Sequence, residues 1–375
     1  MIRSLGIGRR TAALLTGLLL IGALVTILSG SAQASVPNHW GFAFVSAPSV
    51  PGIPPAAHQA GNWPPAFKVH TSPGAPGRVT VRFPQIGVKG GVVHVTAVTD
   101  TATWCQAQQW AKSGADEIVV VRCYKASGVP VFVPFVVMFS QSSKAPFPAG
   151  RAYGYLRYQP GSGVVTSFNS AGGGNVVAQV AVGVWQVTLH GLGSAGPAGN
   201  VQVTPVNPTV PAKCEVSLWT SSKPAQSIRV RCYHPGTAPM NTGWTLSYQR
   251  RRAITGTPLT VKPAAFGYTF DNKPAVAGPY APAPPALNFN SAGAINTVVR
   301  SGGGLRLVTF PQVGRLPNTV LVTPFQATPG GFCNLISPWA TTGPPGNVIV
   351  RDVGCYTAAG GPANRPSLIT YSASR

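Results

Sequence analysis

Six cysteines are the residues whose spacing says most about chemistry. They fall as Cys105/Cys123, Cys214/Cys232 and Cys333/Cys355, at separations of 18, 18 and 22 residues. Close pairs of this kind form disulfides in an oxidising compartment. Six cysteines permit fifteen pairings, and one pair per repeat of the chain selects one of them. With the thiols so committed, zinc has no thiolate ligands. The carboxylates are Asp100, Asp116, Glu117, Glu215, Asp271 and Asp352. Only Asp116 and Glu117 adjoin, and neighbours on a strand face opposite ways. A glycosidase needs two converging carboxylates and a calcium loop needs several oxygen ligands at set spacing; the sequence has neither pattern. His39, His58, His70, His94, His190 and His234 form no paired metal motif, and His94, between Val93 and Val95, reads as a solvent-facing strand position. The nearest approach to a nucleophile elbow is Leu192-Gly193-Ser194-Ala195-Gly196, with Leu where the first Gly belongs. Gly172-Gly173-Gly174 and Gly302-Gly303-Gly304 lead into no helix carrying a lysine, so they read as turns rather than phosphate loops. These residues predict no enzyme, no metal and no cofactor.

What chemistry remains is binding. Only 9% of residues are charged, against roughly 25% in an average chain. The balance is 28 Lys+Arg to 6 Asp+Glu, or +22. Arg122, Arg229 and Arg231 precede second cysteines, Arg82 and Arg306 lie on the preceding strands, and Arg250-Arg251-Arg252 form a run between repeats. Aligned on one face, these arginines would hold a polyanion by counterion release. A composition rich in Ala, Gly, Pro and Arg accounts for the charge equally well without a ligand, and no specific nucleic-acid motif is recognisable. Trp110, Trp219 and Trp339 follow each first cysteine by five or six residues and are expected in the core beside the sulfur bridge. Trp63, Trp104 and Trp185 do not repeat, which makes them the candidates for stacking on a ligand.

The elements that must position these residues recur three times. Each copy opens on an aromatic-Gly-aromatic step: Trp40-Gly41-Phe42, Tyr153-Gly154-Tyr155 and Phe266-Gly267-Tyr268. An exit turn follows, Phe83-Pro84-Gln85-Ile86-Gly87, Leu189-His190-Gly191-Leu192-Gly193 and Phe310-Pro311-Gln312-Val313-Gly314. Alternating segments come next at His94–Val98, Gln202–Val206 and Leu321–Phe325, then the cysteine pair with Tyr124, Tyr233 or Tyr356 after the second cysteine. Each copy closes on Phe139, Tyr248 or Tyr371. Apolar residues alternate with polar ones at period two, as in Ile228, Val230 and Cys232 against Arg229 and Arg231. Gln106–Lys112 offers at most a turn or two of helix. The expected fold is all-β: three tandem antiparallel β-sandwich modules, Ig-like or jelly-roll-like, with one disulfide each. Copies two and three share Phe168-Asn169-Ser170-Ala171-Gly172 and Phe289-Asn290-Ser291-Ala292-Gly293, whereas the Pro- and Gly-rich Gln59–Gly77 of copy one reads as loop with a lost or degraded strand.

Arg3, Arg9 and Arg10 precede an apolar run from Thr11 to Leu28, and Ala32-Gln33-Ala34 supplies a cleavage site. The expected division is a signal peptide at 1–34, cleaved after Ala34, and β-modules at 35–145, 146–255 and 256–375. Export through either the general or the twin-arginine route leaves 25 basic against 6 acidic residues, a balance of +19, and no transmembrane segment. Phe-Asn-Ser-Ala-Gly, Leu-x-Gly-Leu-Gly, Asn200-Val201-Gln202-Val203-Thr204 and Val-Arg-Cys-Tyr resemble a repeat in secreted actinobacterial proteins, a resemblance covering nearly all of 35–375. It implies export and an actinobacterial origin, and it brings no activity, ligand or site. The expected function is a non-catalytic extracellular or cell-envelope repeat protein favouring anionic surface polymers. The alternatives are a carbohydrate-binding or adhesion protein and, behind it, an inhibitor or a hydrolase accessory protein.

Overall fold

The computed structural model describes residues 39–142, 151–255, 265–325, 329–343 and 346–374. The export segment with its cleavage site, and the expected module boundaries at 145/146 and 256, lie outside the described residues. Short β-prone runs punctuated by Gly and Pro give strands throughout, and no α-helix is present among the described residues. The first repeat comprises β1 (His39–Val45), β2 (Gln59–Gly61), β3 (His70–Pro73), β4 (Arg78–Phe83), β5 (Val92–Ala97), β6 (Thr103–Ser113), β7 (Asp116–Lys125) and β8 (Phe135–Gln141). The second comprises β9 (Ala152–Gln159), β10 (Gly163–Asn169), β11 (Asn175–Ala181), β12 (Val184–His190), β13 (Asn200–Val206), β14 (Lys213–Ser222), β15 (Ala225–Tyr233) and β16 (Gly243–Arg250). The third comprises β17 (Phe266–Asp271), β18 (Phe289–Asn290), β19 (Thr297–Gly302), β20 (Leu305–Gly314), β21 (Asn318–Pro324), β22 (Phe332–Leu335), β23 (Ala340–Thr341), β24 (Gly346–Tyr356) and β25 (Ser367–Ala373).

Each repeat is a β-sandwich of an inner and an outer antiparallel sheet. The inner orders are β2-β1-β8-β5, β10-β9-β16-β13 and β18-β17-β25-β21; the outer ones are β3-β4-β7-β6, β11-β12-β15-β14 and β19-β20-β24-β22, and the parallel β13–β6 pair makes the second repeat's inner sheet and the first repeat's outer sheet one eight-stranded sheet. The opening glycine and closing aromatic of each copy are cross-strand partners: Gly41 with Phe139, Gly154 with Tyr248 and Gly267 with Tyr371. The cysteines are partners too, so Cys105–Cys123, Cys214–Cys232 and Cys333–Cys355 each bridge adjacent strands of an outer sheet. Gly77, Gly183 and Gly304 precede β4, β12 and β20 with φ near +70°, and each carbonyl accepts the N–H of the second cysteine. A Cβ there would stand within 2.8 Å of that cysteine's carbonyl oxygen, so only glycine fits. Gln106–Lys112, which offered a helical turn in sequence, lies inside strand β6. Copy one retains its strands, as the short β2 and β3, within the stretch expected to be loop.

The three repeats belong to one unit and close into a ring. Strands β5, β13 and β21 meet at its centre, buried along their whole length. β5 and β21 end their sheets and β13 is met by β6 only at Val206, so each carries N–H groups with no partner in its own repeat. Threonines of the neighbouring repeat satisfy them in a cycle. Thr204 Oγ1 accepts from Val95 N–H (3.2 Å), Thr96 Oγ1 from Val322 N–H (3.1 Å) and Thr323 Oγ1 from Val203 N–H (3.0 Å). A second cycle of parallel contacts joins Val206 to Ala107, Val98 to Leu335 and Phe325 to Val216. The polar face of each inner sheet therefore meets another repeat rather than water. His94 is buried there, bonded to Thr204 Oγ1 (3.2 Å) and Ser247 Oγ (2.7 Å), and is not solvent-facing. Burial holds its pKa near 3.

Around the axis stand the residues that precede each first cysteine: Trp104, Lys213 and Phe332. The Lys213 ammonium lies 5.1 Å from the Trp104 ring and 5.3 Å from that of Phe332, and burial pulls its pKa down to about 8. These three and Cys105, Cys214 and Cys333 line a small axial cavity.

Candidate ligand-binding clefts

The segment that copy one does not share builds two adjoining clefts. Gln59 is buried and clamps it, donating to Pro54 O and accepting the Val69 N–H at 2.8 Å. Gly52 and Thr71 exchange backbone hydrogen bonds of 3.1 and 2.9 Å, pinning the preceding loop to β3. Phe67 and Lys68 are thereby held on the wall common to both clefts. The larger, of about 570 Å³, is lined by Ile53, Phe67, Lys68, His70, Arg82 and Asp116 among others. Ile53 and Phe67 are 57% and 42% exposed and give this cleft an apolar side. Arg82 pairs with Asp116, whose other oxygen accepts Gln85 N–H at 2.9 Å and holds that residue in a left-handed conformation. The smaller cleft, about 220 Å³, presents Trp40, Trp63, Phe67 and Lys68.

Trp63 sits where copies two and three carry an asparagine pair. Asn169 donates to Asn175 at 2.8 Å and Asn290 to Asn296 at 2.9 Å, tying β10 and β18 to the next chain segment. In copy one the matching position is Gly61, and a Cβ there would fall 1.8 Å from the Trp63 ring. The half-buried indole fills the vacated space and turns one edge to the cleft. Trp104 and Trp185 are different: both are buried and unable to stack on a ligand. Trp104 donates to Ala212 O (2.9 Å) at the ring axis, and Trp185 packs between Tyr158 and Trp244. Trp110, Trp219 and Trp339 are buried in the cores of their repeats.

The singled-out arginines are dispersed over separate elements. Arg122 on β7 is half-buried, its guanidinium donating to Pro76 O (3.2 Å) and lying 5.7 Å from the Tyr124 ring. Directly opposite it on β4 stands exposed Arg78, a residue the spacing argument missed. Two like charges facing across strands repel, and an anion between them would relieve that. Arg229 and Arg231 are half-buried on β15, Arg229 reaching Gln186 at 3.4 Å. The Arg250-Arg251-Arg252 run is not a solvated stretch: Arg251 is exposed, Arg250 half-buried and Arg252 buried, where desolvation lowers its pKa to about 10. Arg306 is likewise no surface group, being buried in an ion pair with Asp271 at 3.2 Å.

The acidic residues are withdrawn. Asp116, Glu117, Glu215 and Asp271 are buried, leaving only Asp100 and Asp352 nearer the solvent. Desolvation raises Glu117 to about 7 and Glu215 to about 8, despite the cations near the latter. Glu215 accepts from Tyr233 OH at 3.1 Å. Ser194, in the stretch resembling a nucleophile elbow, bonds Gly196 O and Ser221. No cluster of three or more metal-ligating side chains occurs among the described residues, and none of their helices is long and apolar enough to cross a membrane. Comparison with protein-family models, curated proteins and solved structures finds no match.

Proposed function

We propose that this is a non-catalytic exported repeat protein that holds anionic polymers of the cell envelope, chiefly through its first repeat. One observation carries the reading. Four of the six carboxylates are buried, whereas among the described residues eleven lysines and arginines are exposed, six of them in the first repeat (Lys68, Arg78, Arg82, Lys89, Lys112 and Lys125). With so few opposing charges the surface potential there is positive, which concentrates polyanions. Three disulfides fit folding outside a reducing cytosol. Cosedimentation with isolated cell walls across a salt series tests the proposal. Binding should weaken steeply as salt rises; binding indifferent to salt, or none, overturns it.

A second reading, a carbohydrate-binding or adhesion protein, is favoured by Trp63 beside Phe67 in the smaller cleft. On a glycan array Trp63→Ala should then abolish binding to neutral sugars, and unchanged binding removes that reading.

A further inference from the structure

The seam between the first and second repeats departs from the other two. Three residues after its opening glycine, each copy sends one side chain toward a neighbour: Phe44, Arg157 and Phe270. Phe44 lies 6.2 Å from the Trp339 ring of the third repeat, and Phe270 joins Trp219 in the apolar cluster of the second. At the remaining seam the guanidinium of Arg157 lies 4.1 Å from the Trp110 ring. Where two seams are sealed by apolar contact, this one opens a groove of about 440 Å³, lined by Lys89, Trp110, Lys112, Glu117, Arg157 and Thr166 among others.

Two of the residues lining this groove each carry an enclosed polar atom with no hydrogen-bond partner among the described residues, Glu117 Oε1 and Arg157 Nε. The first is the more telling. Its counterpart in the second repeat, Gln226, accepts from Trp219 Nε1 (2.9 Å) and donates to Leu192 O and Tyr248 OH. In the first repeat Trp110 Nε1 turns instead to Gly90 O (3.0 Å), and the closing aromatic is Phe139, which has no hydroxyl. Glu117 keeps only the Val88 N–H, on its other oxygen, at 3.1 Å. An enclosed polar atom without a partner is unfavourable and calls for a group to meet it.

We propose that this groove binds an acidic sugar unit, carboxylated or phosphorylated. A ring hydroxyl both donates and accepts, so with a small turn of these side chains toward the groove it can donate a hydrogen bond to Glu117 Oε1 while neighbouring oxygens accept from Arg157 Nε. The exposed ammonium groups of Lys89 and Lys112 at the rim take the anionic substituent. This inference rests on the anionic-polymer reading and names the unit recognised.

Titration calorimetry of the exported chain with trigalacturonate, glucose 6-phosphate and neutral maltotriose tests it, with wall cosedimentation run alongside. At least one acidic sugar should bind, and which one does identifies the anionic group. Arg157→Phe, which restores the side chain of the other seams, should lower that affinity roughly tenfold or more, as should Lys89→Ala/Lys112→Ala if the first variant fails to fold. Undiminished binding by a folded Arg157→Phe, equal binding of maltotriose, or no acidic-sugar binding at about 10 mM overturns the seam site. Wall binding that survives such a result leaves the broader reading standing, whereas its absence in the unaltered chain removes that reading itself.

Discussion

His94 is neutral in the folded chain because the seam around it supplies two hydroxyls and no counter-charge. Burial holds its pKa near 3, against 6.5 in an unfolded chain. Below about pH 6.5 the unfolded state takes up a proton that the folded state refuses. The stability it contributes is complete above pH 6.5 and is lost as pH falls toward 3. Integrated from pH 7.5 to pH 4, the loss is about 3 kcal/mol. His94→Gln keeps a donor and an acceptor but cannot titrate. Glu117 and Glu215, whose pKa values burial raises, act with the opposite sign, losing stability as pH rises through about 7 and 8. They are the same in both proteins and cancel in the comparison. Urea unfolding with disulfides intact, at pH 4 and 7.5, should show the unaltered chain losing about 3 kcal/mol more than the variant across that interval. Equal losses in the two proteins would refute the neutral, buried imidazole.

Thr96→Val, Thr204→Val and Thr323→Val each strand one backbone N–H, and each should cost roughly 1–3 kcal/mol in urea unfolding; the expectation fails if the costs are absent or fall on one threonine alone. Cys214→Ala/Cys232→Ala opens an 18-residue loop and should lower stability by about 3 kcal/mol in the same assay, with no loss refuting the role of the bridge. Gln312 has a φ of 59° where the second copy has Gly191 at 78°, so Gln312→Gly should leave thermal stability unchanged or raise it, and Gln312→Val should lower it by about 1–2 kcal/mol.

Much of each sandwich could be read from sequence because its partners recur. Gly41 and Phe139, like Cys105 and Cys123, are written at fixed places in every copy, and the structure pairs them across strands. The ring could not be read the same way. Alternation in Val93-His94-Val95-Thr96 says that two faces differ in polarity, not that the polar one is wet. His94, Thr96, Thr204 and Thr323 are polar because they hydrogen-bond a neighbouring repeat. The axis was hidden for another reason: Trp104, Lys213 and Phe332 occupy equivalent positions and share no chemistry. That is why Trp104 passed for a copy-specific binding residue. At the clefts, the unrepeated segment with Trp63 was legible as the place to look. Phe67, Lys68 and Arg78 were not singled out, since a lone residue carries no spacing signal. Arg252 and Arg306 misled because charge alone says nothing of depth.

The covalent chain crosses only two of the three seams. Between the third and first repeats, Thr96 meets Val322 and Val98 meets Leu335 across 226 and 237 residues of sequence, with the same geometry as the linked seams. Like contacts at the linked and the unlinked seams place the information for assembly in the seams themselves. A circularly permuted chain opened between the first and second repeats should reach the same ring. So should a third repeat supplied in trans to the first two, at a concentration set by the affinity of two seams.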